Sequence, residues 1–300
     1  MPTTRIVLVV LVLSVGLGAC GAPASPPKPF AGRSIAIGSL DTPAGVIVAH
    51  LYAGVLAHAG ARVTVHTAGA RAVVEPALAS GRLDLYPDDA GELLLFLASN
   101  DTEAATRLAP AVADIKKVLR LAGVTVLEPA PALDTHVFVV TRATAEQYHL
   151  TTLSSLRPVA ETLILGGPPW CPTQPQCLAG LQGTYGLHFK SFTSLDDTGP
   201  VSVAALDGGQ VQVAELSSID ATIVRNRFLA LGDDKHLLNA DNVVPVIRAS
   251  VATRAVVAAL DRLSARLTTD QLAQLTFEVT AGHEDPGVAA HRWLVHRHLI

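Results

Sequence analysis

Aromatic rings are scarce in this chain: four Tyr, two Trp and seven Phe make up 4% of 300 residues. A ligand site built mainly from stacked aromatic faces has few residues to draw on. Charge is sparse as well, at 16%, and the 22 Lys and Arg are outnumbered by 26 Asp and Glu with no basic block anywhere. Nucleic acid requires a concentrated cationic surface, so it is not an expected partner. Cysteine occurs three times, an odd number that disulfides alone cannot consume. Apolar residues, by contrast, form 49% of the chain, which excludes disorder and fills one large α/β unit or two joined lobes.

The N-terminus accounts for one cysteine. Arg5 precedes an apolar stretch from Ile6 to Leu17, shorter than the ~20 residues that span a bilayer. It reads as an export signal. Leu17-Gly18-Ala19-Cys20 ends that stretch and resembles the bacterial lipobox, which implies cleavage before Cys20 and acylation of its thiol. Residues 1–19 are then a lipoprotein signal peptide and residues 20–29, rich in proline, an extended tether. The expected location is the extracytoplasmic face of the cell membrane, held by a lipid anchor. Export is oxidising, so Cys171 and Cys177 are expected to close a short loop as a disulfide. A metal is the competing reading, but zinc takes about four ligands, and His188 lies eleven residues beyond Cys177. Neither a metal nor a cofactor is expected.

Beyond the tether, strand-like and helix-like segments alternate. Residues 34–38, 62–66, 83–86 and 124–127 read as strands; 44–59, 72–79 and 102–122 read as helices, with Gly60 and Gly123 as stops. The rhythm repeats with strands at 136–141, 162–165 and 211–216 and helices near Ala145 and over 201–207. A strand at 243–248, helices at 252–267 and 269–279 and a short helix through Trp293 complete the pattern. Mixed, largely parallel sheets covered by helices are expected.

Particular motifs carry a family resemblance. Residues 77–87 (ALASGRLDLYP), 165–169 (LGGPP) with Cys171 to Cys177, 184–187 (TYGL) and 204–211 (AALDGGQV) occur in order with 233–235 (DDK), 242–246 (NVVPV) and 263–269 (LSARLTT). In this order they resemble the osmoprotectant-binding proteins of ABC importers, whose ligands are glycine betaine, carnitine, choline or proline betaine. The resemblance implies an α/β, type II periplasmic-binding-protein fold, with two α/β lobes and a hinge of two crossing strands, here near Asp134 to His136 and Asn239 to Val243. Lobe one would comprise 30–135 plus 242–300, and lobe two 136–241. It also implies a monomer that closes on a small molecule and delivers it to a permease and its ATPase subunit.

The same mapping shows where the chain departs from that family. Its ligands are held by aromatic faces, because a quaternary ammonium cannot donate hydrogen bonds. Here Thr42, Asp89, His136 and Ser217 stand at positions where the family has rings. Glu92 replaces a threonine, Trp170 a glutamate before Cys171, and Gln174 a basic residue, while Tyr86 is kept. These eight residues are the expected ligand contacts. Their hydroxyl, imidazole, amide and carboxylate groups suit a polar hydroxylated compound, sugar-like or phenolic, or a cation with N–H donors.

Catalysis lacks a signature. No GxSxG, GxxxxGK[ST] or HExxH is present, and His291, His296 and His298 have no cysteine-rich partner segment. The chain is read as a non-enzyme; the alternatives are an exported enzyme using Asp89 or Glu92 with His136, or a ligand sensor on the same fold.

Overall fold

The structure, a computed structural model, describes residues 30, 32–67, 69–98 and 102–300. The expected signal peptide, Cys20 and the tether lie outside the described residues.

The chain begins with β1 (Ser34–Ser39), α1 (Pro43–His58), β2 (Arg62–Thr67), α2 (Arg71–Ala79), β3 (Leu85–Asp89), α3 (Ala90–Leu97), α4 (Thr102–Ala105), α5 (Leu108–Leu119) and β4 (Val124–Val126). A second run follows: β5 (His136–Val140), α6 (Arg142–Tyr148), β6 (Ile164–Gly167), α7 (Leu178–Gly180), β7 (Ser191–Ser194), α8 (Pro200–Asp207), β8 (Val213–Ser217), α9 (Ala221–Arg225) and β9 (Leu229–Ala230). It ends with β10 (Val243–Arg248), α10 (Arg254–Ser264), α11 (Thr269–Thr280) and α12 (Pro286–His296).

These strands make two five-stranded sheets, β2-β1-β3-β10-β4 and β7-β6-β8-β5-β9. In each sheet the fourth strand runs antiparallel to its neighbours. That strand, β5 or β10, is the one the chain enters on crossing from the other sheet. The crossing segments pair: Asp134 N–H donates to Asp241 O and Val243 N–H to Ala132 O, both at 3.0 Å. The result is the two α/β lobes joined by two crossing strands that the resemblance implies. Pro245 sits inside β10, opposite Pro87 of β3. A proline cannot donate to a ladder, so facing prolines confine the two missing donors to one rung.

Helices fill both faces of each sheet. Apolar residues at helical spacing on α1, including Ile47, Leu51, Val55 and Leu56, are buried with Leu260, Leu272 and Leu294 of the C-terminal helices. Gly54 permits this packing, because a Cβ there would stand 2.3 Å from Leu294 Cδ1. Among the described residues no helix is long and apolar enough to cross a membrane.

Several expectations differ from the structure: β6 and β8 begin two residues later than the strands anticipated at 162–165 and 211–216, and β7 and β9 were not anticipated. The helix anticipated over 102–122 is split into α4, α5 and a 3-10 turn at Arg120–Ala122. Pro110 explains the break, since it is accommodated in the first turn of α5 but not inside a continuous helix. The strand anticipated at 83–86 lies instead at Leu85–Asp89, and α3 follows it with no connecting loop.

Candidate functional site

The helix α3, leaving the carboxyl end of β3, and the loop leaving the carboxyl end of β6 face one another across a cleft of about 1040 Å³ between the lobes. Carboxyl ends of parallel strands are where open α/β sheets place ligands. Of the expected contacts, Glu92, His136, Trp170 and Gln174 line this cleft. Thr42 and Asp89 instead line a separate crevice of about 10 Å³. Thr42 is the N-cap of α1, where its hydroxyl accepts from Gly45 N–H at 3.1 Å. Tyr86 is wholly buried inside the first lobe. Ser217 ends β8 outside the cleft lining, its hydroxyl accepting from Ile219 N–H at 3.3 Å.

One wall of the cleft is organised around α3. No local side chain caps this helix. Its first amides donate to the crossing segment instead: Ala90 to Asn242 O at 3.0 Å, Gly91 to Ala240 O at 3.2 Å and Glu92 to the Asp241 carboxylate at 2.8 Å. Burial pushes the Asp241 carboxyl up to about 7, against the pull of the Glu92 amide. Behind α3, Arg71 Nε donates to Asp88 Oδ1 at 2.7 Å and stands 3.6 Å from both Asp89 and Glu92. Burial also raises Asp89, helped by the repulsion of Asp134, Asp88 and Asp241. Charges taken from water need such a cation beside them.

The facing wall carries Trp170, which leads into the Cys171–Cys177 disulfide, with Cα atoms 5.1 Å apart. The Trp170 ring meets that of His136 edge-on, centroids 5.6 Å apart. His136 Nδ1 lies 3.2 Å from Glu215 Oε1 in an ion-pair contact. This contact with Glu215 holds His136 above its ordinary pKa, against the effect of burial. Tyr185 packs nearby, donating its hydroxyl proton to Asp233 and accepting from Lys235 N–H.

The two walls are tied at the hinge. Gln176 Nε2 donates to Asn239 Oδ1 at 2.5 Å, and Asn239 Nδ2 donates to Glu92 Oε1 at 3.0 Å. Thus a lobe-two loop, a crossing residue and α3 form one chain of hydrogen bonds.

Asp241, Glu215, Asn239, Gln176 and Arg71 were not among the residues expected from the sequence. Glu215 did carry a signal: it is a lone carboxylate in the apolar strand VAELS. Asp241 carried none, because its partner Glu92 is 149 positions away. Among the described residues, Cys171, Cys177 and Glu215 form the one close trio of metal-ligating types, and the disulfide occupies both sulfurs. Chemically the cleft offers mixed donors and acceptors with one aromatic face.

The family profile described as "Substrate binding domain of ABC-type glycine betaine transport system" matches residues 33–296. The carnitine transport binding protein OpuCC of Listeria monocytogenes is 24% identical over 169 residues, covering 54% of this chain and 53% of that protein. This chain thus matches about half the length of that relative. Two solved structures share the fold with TM-scores of 0.79. One, a glycine betaine/carnitine/choline ABC transporter structure, is 21% identical and covers 88% of this chain and 99% of its own. The other, ligand-free YehZ from Escherichia coli, is 22% identical and covers 90% and 100%.

Proposed function

The chain belongs to the substrate-binding family of ABC-type glycine betaine transport systems, and from that premise we propose that it is an exported, lipid-anchored solute-binding protein whose ligand is a polar hydroxylated compound rather than a betaine. Members of the family bind substrate for transporters and are not enzymes. The observation that carries the ligand reading is the cleft of about 1040 Å³, in which Glu92, His136 and Gln174 stand with a single indole, that of Trp170. A cage for a quaternary ammonium needs several aromatic faces converging on one point. Carboxylate, imidazole and amide groups instead reward a ligand with hydroxyls, because each buried polar group gains a partner.

In this reading lobe one spans 30–135 and 242–300, lobe two spans 136–241, and ligand contacts from both favour the closed state. Cys20 is acylated, which holds the protein on the extracytoplasmic face of the membrane, and a monomer in the closed form hands ligand to a permease with its ATPase subunit. Thr42, Tyr86, Asp89 and Ser217, all outside the cleft lining in this structure, would reach ligand only through rearrangement on closure.

Isothermal calorimetry on the mature chain tests the ligand class. Heat should appear with members of a polyol and phenolic panel, and be absent or weak with glycine betaine, carnitine and choline. Micromolar betaine binding with a silent panel would overturn the reading. Trp170→Ala should weaken any panel binding about ten-fold or more, the loss expected when a central aromatic anchor is removed.

A further inference from the structure

Resting on the binding-protein reading, a more specific property of the cleft follows from Glu215. This residue projects from β8 and is 1% exposed. Its Oε2 lies 2.9 Å from Cys177 Sγ, which is bonded to Cys171 and so has no proton to give. A carboxylate this deeply buried calls for a cation beside it. Among the described residues, the one cationic group within ion-pair distance is His136, at 3.2 Å.

The orientation of that imidazole matters next. Nδ1, the atom facing Glu215, is closed off from solvent. The side chain as a whole is 45% exposed and lines the cleft, so the open edge of the ring is the one bearing Nε2. A charged imidazole has a proton on each nitrogen. One is on the buried nitrogen, in ion-pair contact with Glu215 at 3.2 Å but without a formed hydrogen bond, and the other is presented to the cleft, next to the edge-on Trp170 ring.

We propose that His136, in its charged form beside Glu215, is the specificity-determining residue of this cleft: it selects a ligand that sets an anionic oxygen, such as a carboxylate, beside the Trp170 ring, and it repels a quaternary ammonium. Glu215 is its positioning residue. The position that resembles a ring of the family's cage thus has its electrostatics inverted, from a face that attracts cations to a donor that rejects them. Glu92, on the α3 side of the cleft, confines the anion to the His136 side and leaves hydroxyls of the ligand to face it.

The charged groups facing the imidazole are Glu215 on β8, Asp134 on the crossing segment and Asp197 before α8, and all three favour its protonated form. As pH rises through the elevated His136 midpoint, the cation is lost and selection for an anion goes with it.

Two measurements on the mature chain test this. The first follows the His136 ring signals by NMR against pH without ligand, in the wild type and in Glu215→Gln. The midpoint should lie above that of a free histidine and fall in the variant; an ordinary midpoint unmoved by the variant overturns the proposal. The second compares 4-hydroxybenzoate with its neutral amide, 4-hydroxybenzamide, by calorimetry. At low pH the carboxylate should bind about ten-fold more tightly, a difference that vanishes at high pH, in His136→Asn and, at intermediate pH, in Glu215→Gln. Equal affinities, a preference independent of pH, or no binding of either probe overturns it. Failure here with heat from other hydroxylated compounds leaves the binding-protein reading intact, whereas a silent panel with bound betaine removes both.

Discussion

Asp241 is 3% exposed, and its carboxyl is lifted from 3.8 to about 7, chiefly by burial. Between those two values the folded chain holds a proton that the unfolded chain has released. Stability contributed by this group therefore falls as pH rises across that window, and the loss is complete above it. Its size is up to about 4 kcal/mol, since each tenfold difference in proton affinity between the folded and unfolded chain corresponds to ~1.4 kcal/mol. Asp88, Asp89 and Asp134 are raised as well, so they slope the same way and remain as background. Asp241→Asn keeps an oxygen for the Glu92 amide while removing the titration. Urea unfolding at about pH 5 and about pH 8 should show the wild type losing some 2–3 kcal/mol more than the variant between them. Equal losses would mean that Asp241 is solvated. Ligand contacts follow the same logic at other positions. His136 and Trp170, conspicuous in the sequence, do line the cleft. Tyr86, kept from the family motif, is spent on the core instead.

Among the elements, most strands and the long outer helices are readable because their signals are local. Thr42 and Pro43 start α1, and Thr268 with Gln271 forms a capping box on α11. The helix α3 escapes such reading for a physical reason. It is apolar along Leu93 to Leu97 and has no capping side chain of its own; its free amides are met by residues 240–242, far along the chain. Distant capping leaves no pattern within a short window. The cleft wall on α3 is for the same reason legible only as an isolated acid, Glu92. Gly91 makes the close approach possible: a Cβ there would meet Ala105 O at 2.7 Å, Asp241 Oδ1 at 2.8 Å and Asn239 Cβ at 2.9 Å. Gly91→Ala should therefore destabilise the chain by about 1–3 kcal/mol despite the better helix propensity of alanine. Gly183→Ala, where nothing lies within 4 Å of the added carbon, is the control and should be near neutral in thermal unfolding. Similar melting temperatures for the two variants would show that α3 is not anchored by the crossing segment.

For the whole molecule, the proposed binding cycle needs an equilibrium between open and closed forms of the two lobes, which ligand shifts by binding one better than the other. The hydrogen-bond chain Gln176 to Asn239 to Glu92 should bias that equilibrium toward the closed form before any ligand arrives, because it spans a lobe-two loop, the crossing and α3. Each such bond contributes about 1 kcal/mol net, so losing both moves the equilibrium constant by roughly thirty-fold. Asn239→Ala removes both at once and touches neither Trp170 nor His136. Spin labels on one exposed position of each lobe, such as Arg82 and Arg157 changed to cysteine, report the separation. Without ligand, the variant should show a broader distance distribution with a larger mean than the wild type, and a saturating hydroxylated ligand should bring both back to the same short distance. Its affinity should drop by up to about the same thirty-fold, as the population competent to bind is reduced. Unchanged distances with weakened binding would assign Asn239 to ligand contact, and unchanged distances with unchanged binding would place the bias elsewhere in the crossing, in the backbone pairs of Asp134 with Asp241 and Val243 with Ala132.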